Sequence, residues 1–130
     1  GMIQGAQDYL IHTGGQASQL DVFRVPGSFE IPQAAQWIIK EERHAGLLLL
    51  GCIVQGDTPH FDVLTHSVMQ AVQTLALEGP LPLTCGILTV HTLEQAEARA
   101  QKNENNKGWE AMSALLEMIQ VKRDGRMYGH

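Results

Sequence analysis

The chain has 130 residues, with nine basic and fourteen acidic side chains and a formal net charge of −5 at pH 7. That length suits one domain around one core, and a hydrophobic content of 44% is that of a globular chain, not a disordered one. The acidic balance argues against a nucleic-acid partner, which would call for a basic face. The longest apolar run, from Ala45 to Val54, is too short to span a bilayer.

No secretory pattern opens the chain, and Gly1 reads as a remnant ahead of an initiator, Met2. Apolar residues at helical spacing (Met2, Ala6, Tyr9, Leu10) predict a first helix over Met2 to His12, ended by Gly14-Gly15. Leu20 to Val25 alternates and predicts a short strand. Pro26-Gly27 then introduces a helix to about Arg43, starting at a Ser28 cap or, better suited to Pro32, a little later. Leu47 to Val54 is a continuous apolar run, as expected of a parallel strand covered on both faces. A long helix is predicted from Pro59 to about Leu77, with Thr58 as its cap and Pro59 in the first turn. A strand over Thr84 to Val90 follows. Thr92 with Gln95 makes a capping box for a helix through about Lys102. The last helix spans roughly Asn106 to Val121, and residues 122–130 form a polar tail. Strands alternating with helices give an α/β fold, a parallel sheet with helices on both faces, over a single domain of residues 1–130. Cys52 and Cys85 lie in apolar runs without C-x-x-C spacing, the pattern of reduced thiols in a cytoplasmic protein.

Ligands of such sheets bind at the carboxyl ends of the strands. The segment after Val54 has the makings of an anion site there. Gly56 allows close backbone approach, and free N–H groups near Thr58 to Phe61 point out of a helix N-terminus. His60, placed one step inside that helix, carries a ring suited to proton transfer in either direction. Taken alone, a simple cap and a surface histidine explain the same residues, and are commoner. Arg99 by itself is an ordinary solvated charge, Phe29 an ordinary core aromatic, and Lys107 with Glu110 an exposed pair. His60, His66 and His91 make no metal-ligand spacing, so no metal site is expected. Trp37 and Trp109 read as packing or interface residues.

Several stretches together carry a family resemblance. Val25-Pro26-Gly27-Ser28-Phe29-Glu30-Ile31-Pro32, Gly56-Asp57-Thr58-Pro59-His60-Phe61-Asp62 and Gly86-Ile87-Leu88-Thr89 come first. Glu94-Gln95-Ala96 with Arg99-Ala100, and Asn106-Lys107-Gly108 with Glu110-Ala111, follow in order. The pattern, running from about Met2 to Ile119, resembles the lumazine synthase family. The resemblance implies a three-layer, flavodoxin-like α/β/α subunit of a homo-oligomer, a pentamer or a multiple of pentamers, with riboflavin synthase as a partner. It implies condensation of a ribitylaminouracil with a butanone phosphate, without metal or cofactor. His60 would be catalytic. Ser28, Phe29, Glu30, Cys52, Ile53, Val54, Cys85 and Lys107 would hold the substrates, and Gly56, Asp57, Thr58 and Arg99 the phosphate, with Arg99 and Cys85 at a subunit boundary.

The sequence departs from that pattern in places. The family's first strand and aromatic turn, which lie ahead of the helix at Met2 and centrally between the strands at Leu20 and Leu47, are missing. Residues ahead of Met2, a sheet that closes up, or a neighbouring chain would each answer that. Gln55 stands where the family usually has arginine, Cys85 replaces an aromatic, and Gln101 to Asn105 lacks a common glycine-rich run. A non-catalytic assembly protein that binds flavin or lumazine is the alternative from a different class, and an unrelated flavodoxin-like binding module a third.

Overall fold

The computed structural model describes residues 1–56 and 60–125. Along the chain these form α1 (Met2–His12), 3₁₀ turns at Ala17–Gln19 and Ser28–Glu30, α2 (Ile31–Glu41) and β1 (Leu47–Val54). Then come α3 (Phe61–Glu78), β2 (Leu83–Val90), α4 (Leu93–Ala98) and α5 (Lys107–Asp124). β1 and β2 pair in parallel, from Leu47 opposite Leu83 to Val54 opposite Val90. A parallel pair needs a long crossover, and α3 supplies it.

Strand alternation divides the core. Leu49 and Ile53 of β1 and Ile87 of β2 pack with Ile31 and Ala35 of α2 and with Phe61, Val68 and Val72 of α3. Leu48 and Leu50, pointing the other way, pack with Ala6 of α1 and with Met112 and Leu115 of α5. An uninterrupted apolar strand is therefore what this position requires, because each face of β1 meets helices.

The structure corrects several expectations. Leu20 to Val25 is not a strand: it is non-regular chain, and among the described residues the sheet has two strands. Its two ends nonetheless pack, Val25 on the α2–α3 cluster and Leu20 on the α1–α5 cluster, while Val22 and Phe23 between them are exposed. What it lacks is a neighbour to exchange ladder hydrogen bonds with. Between it and β1 lies a cavity of about 210 Å³, walled by Leu20, Val22 and Val25 on one side and Leu47 to Leu50 on the other. A hydrogen bond between His44 Nε2 and Asp21 Oδ2 (2.7 Å) ties this segment to the approach to β1. The helix expected from Pro59 begins at Phe61, which puts His60 at its N-cap and not within it; the expected Thr58 cap lies outside the described residues. The helix after the Thr92–Gln95 capping box, which does form, stops at Ala98. α5 continues to Asp124, so residues 122–124 of the expected tail are helical, with Lys122 and Arg123 in the last turn where the helix dipole favours cations.

α1 and α5 cross so closely that a Cβ at Gly108 would overlap the Met2 carbonyl oxygen. The crossing is locked by Asn106, 1% exposed. Its Oδ1 accepts from the N–H groups of Gly108 (2.8 Å) and Trp109 (3.2 Å), capping α5. Its Nδ2 donates to the carbonyls of Gly1 (3.1 Å) and Gln101 (2.8 Å). Replacing Asn106 with alanine removes a helix cap and strands buried carbonyls, so it should destabilise the fold by about 2–4 kcal/mol. Asn106→Asp, which keeps the cap and loses the donors, should fall between. Urea unfolding measures both, and an unshifted midpoint for the alanine variant would refute the account.

Candidate active site

The parallel ladder ends at Val54 and Val90, and the chain then rises from the carboxyl end of the sheet. Gln55 N–H donates to the Val90 carbonyl (2.8 Å) and Gly56 N–H to that of His91 (3.5 Å). Gly56 sits at φ 46°, a left-handed conformation that glycine adopts without steric cost. His60 is exposed at the start of α3, and the next residue, Phe61, is anchored in the core at 9% exposure. Asp57 and Thr58, expected to hold phosphate, lie outside the described residues.

The 3₁₀ turn Ser28–Glu30 packs against both β1 and α3. Ser28 Oγ donates to the carbonyl of Cys52 at 3.5 Å, fixing the turn beside the last third of β1. Phe29 is 67% exposed, so it is no core aromatic and its ring is open to a ligand. Glu30 is half-buried. Of the three β1 residues expected at the substrate, Ile53 has its side chain in the core, while Cys52 and Val54 are half-buried. Burial pushes the Cys52 thiol up from its ordinary value, which keeps it protonated and a poor nucleophile at neutral pH.

A cationic group forms where α4 gives way to α5. Arg99 Nη2 bonds Glu110 Oε2 at 2.6 Å, Lys107 Nζ bonds Glu110 Oε1 at 3.2 Å, and Arg99 Nε donates to the Asn105 carbonyl at 2.8 Å. Two cations share one carboxylate, so the group keeps a net positive charge. Among the described residues, no hydrogen bond or ion pair links it to His60 or Gly56. Cys85 is also apart: it pairs with Leu49 in mid-sheet and its Sγ lies 4.0 Å from Met69 Sδ. His91 is six positions further along the chain, on the order of 20 Å away. The fold thus brings together Ser28, Phe29, Glu30, Cys52, Val54, Gly56 and His60 at one sheet end, groups Arg99 with Lys107, and leaves Cys85 elsewhere. Among the described residues no three His, Cys, Asp or Glu side chains cluster as a metal site, and no helix is long and apolar enough to cross a membrane.

Sequence reasoning missed one connection at the sheet end. His91 Nδ1 is hydrogen-bonded to Gln55 Oε1, and the His91 ring lies 6.2 Å from that of Phe61. The Thr92–Gln95 capping box was the available clue, since Gln95 Oε1 also accepts from His91 N–H (2.8 Å); nothing local could show that Gln55, 36 residues away, is the ring's partner.

Residues 1–123 match the family model for 6,7-dimethyl-8-ribityllumazine synthase. The chain belongs to this family. Proteins carrying that name in Helicobacter hepaticus and Aquifex aeolicus are similar to it at 38% identity over 122 residues and 39% over 120. These alignments span 94% and 92% of this chain, and 78% of each relative. The Nautilia profundicola protein of the same name is 35% identical over 123 residues, 95% of this chain and 80% of its own length. As a lumazine synthase family member the chain is an enzyme of riboflavin biosynthesis, a transferase that forms the lumazine ring.

The raised Cys52 value has a chemical consequence. At pH 8 the native protein should alkylate at Cys52 more slowly than a free cysteine thiol does with iodoacetamide, and the rates should converge on unfolding. Cys52 labelling in the native state as fast as the free thiol would contradict its burial.

Proposed function

We propose that the chain condenses 5-amino-6-ribitylaminouracil with 3,4-dihydroxy-2-butanone 4-phosphate, giving 6,7-dimethyl-8-ribityllumazine and inorganic phosphate. The observation that carries this reading is the meeting of three separate segments, the Ser28–Glu30 turn, Cys52 to Gly56, and His60, at the carboxyl end of a parallel sheet. Ser28, Phe29 and Glu30, with Cys52, Val54 and the backbone of Ile53, hold the aminouracil, Phe29 through its open ring. Gly56, Asp57 and Thr58 cradle the phosphate with Arg99. The Asn105 and Glu110 bonds leave Nη1 of that guanidinium free to face an anion, which it can meet in the planar way lysine cannot. Lys107 adds positive charge beside it, and Cys85 belongs to the pocket of a neighbouring subunit.

The amine of the uracil adds to the ketone and loses water to form an imine, phosphate is then eliminated, and the second nitrogen closes the ring on the carbonyl that this leaves, with loss of a second water. His60 carries protons through these steps, a task to which an imidazole is suited near neutral pH. Holding two substrates in register supplies much of the acceleration. No metal or cofactor is required.

The subunit is one domain, residues 1–130, of the three-layer flavodoxin-like type. The cavity along the free edge of β1 supports this reading, since it leaves room beside that edge for a further strand. The working form is a homo-oligomer, a pentamer or a multiple of pentamers, in the cytoplasm, with riboflavin synthase as a further partner. Exposed Trp37 on α2 and Val63 and Leu77 on α3, 59%, 70% and 74% accessible, support the oligomer, because a monomer gains nothing from apolar side chains there.

Two measurements test this. Protein with both substrates should form fluorescent lumazine faster than the unaided condensation at matched concentrations, and His60→Ala should lower turnover roughly 10²- to 10⁴-fold, the usual worth of acid–base catalysis. No rate above background, together with tight flavin or lumazine binding, would decide for a non-catalytic assembly protein. Light scattering should give several times the subunit mass of 14.3 kDa; a monomer at micromolar concentration would remove the shared site.

A further inference from the structure

We propose that His91 is a positioning residue for His60, a staple that holds both ends of the segment carrying it. The inference rests on the reading of His60 as the proton carrier. Gln55 and His91 are the first residues beyond β1 and β2, and the two strand ends are joined there by more than the ladder. The Gln55 amide oxygen takes the proton of His91 Nδ1, an assignment that fixes the tautomer and the ring plane together. The backbone of His91 is held independently: its N–H donates to Gln95 Oε1 at 2.8 Å, and its carbonyl accepts from Gly56 N–H at 3.5 Å. On its other side the ring meets Phe61, with centroids 6.2 Å apart and planes at 40°.

Gly56 and Phe61 flank the stretch that ends in His60. One end is bound to His91 through the Gly56 N–H and the Gln55 side chain, the other through the Phe61 ring, which is itself embedded between α2, α3 and the sheet. His91 is exposed, so hydrophobic burial does not account for its place; its contacts do. Without the ring, Gln55 loses its partner and the first turn of α3 loses a neighbour on the side of the sheet. A side chain that holds Phe61, the residue next to His60, bears on where His60 stands relative to the Ser28–Glu30 turn. Catalysis is steep in that coordinate, and a misplacement of ~1 Å can cost about 10²-fold.

The test is a double-mutant cycle on the full-length chain with both substrates. His91→Ala should lower kcat roughly 10- to 100-fold with little change in KM for the aminouracil. The double variant His60→Ala/His91→Ala should be no slower than His60→Ala alone, because a residue acting through another adds nothing once that one is gone. His91→Asn, which can still donate to Gln55, should recover part of the loss and covers the case in which the alanine variant does not fold. Wild-type kcat in both His91 variants, or losses that multiply in the double variant, overturns the proposal. Should His60→Ala itself leave turnover unchanged, the reading of His60 falls on its own. The His60 imidazole resonance then decides: displaced by the His91 substitutions, it supports the staple, and unmoved, it overturns it.

Discussion

The side chain of Asn106 joins three parts of the chain: the first residue, the loop after α4 and the first turn of α5. Four hydrogen bonds use its amide fully, so burial carries no unmet desolvation cost. Because Lys107 follows it directly and Glu110 lies one turn on, the position of the cationic group is set from this buried point. The Lys107 N–H bond to the Arg99 carbonyl (2.7 Å) closes the loop between them. The close crossing of α1 and α5 is part of the same arrangement, since a Cβ at Gly5 would occupy the space of the Asn106 amide.

The strands divide the work differently. Their side chains are spent on packing, odd-numbered residues of β1 toward α2 and α3 and even-numbered ones toward α1 and α5. Chemistry is therefore left to the residues beyond the strand ends, where backbone groups leave the ladder and side chains are no longer claimed by the core. Ser28, Gln55, Gly56, His60 and His91 all belong to that zone. The outer edge of β1 is the exception to this economy. It faces an apolar cavity rather than a partner strand, and the segment across that cavity is extended without being paired.

Electrostatics at the site arranges more than it stabilises. Glu110 is 55% exposed and Arg99 37%, and ion pairs of that accessibility contribute roughly 0–1 kcal/mol. Their value is in geometry: the Asn105 carbonyl and Glu110 hold the guanidinium from two directions. At the sheet end the hydrogen bond between Gln55 and His91 likewise serves geometry, by orienting a ring.

By itself the sequence determined the helices with clear periodicity and caps, α1, α5 and the Thr92–Gln95 start of α4, and the two strands that are apolar throughout. These are local properties: spacing and capping act over a few residues. The motifs around Ser28, Gly56, His60 and Arg99 made the family legible too. The failures were of another kind. Leu20 to Val25 carries a strand's alternation and packs at its two ends, yet strand formation needs a neighbour to bond to, which a sequence segment cannot supply for itself. The Gln55–His91 bond spans 36 residues and the Gly1–Asn106 bond 105. Only the folded chain decides such pairs, because they depend on which strand ends and helix ends the packing of the core brings side by side.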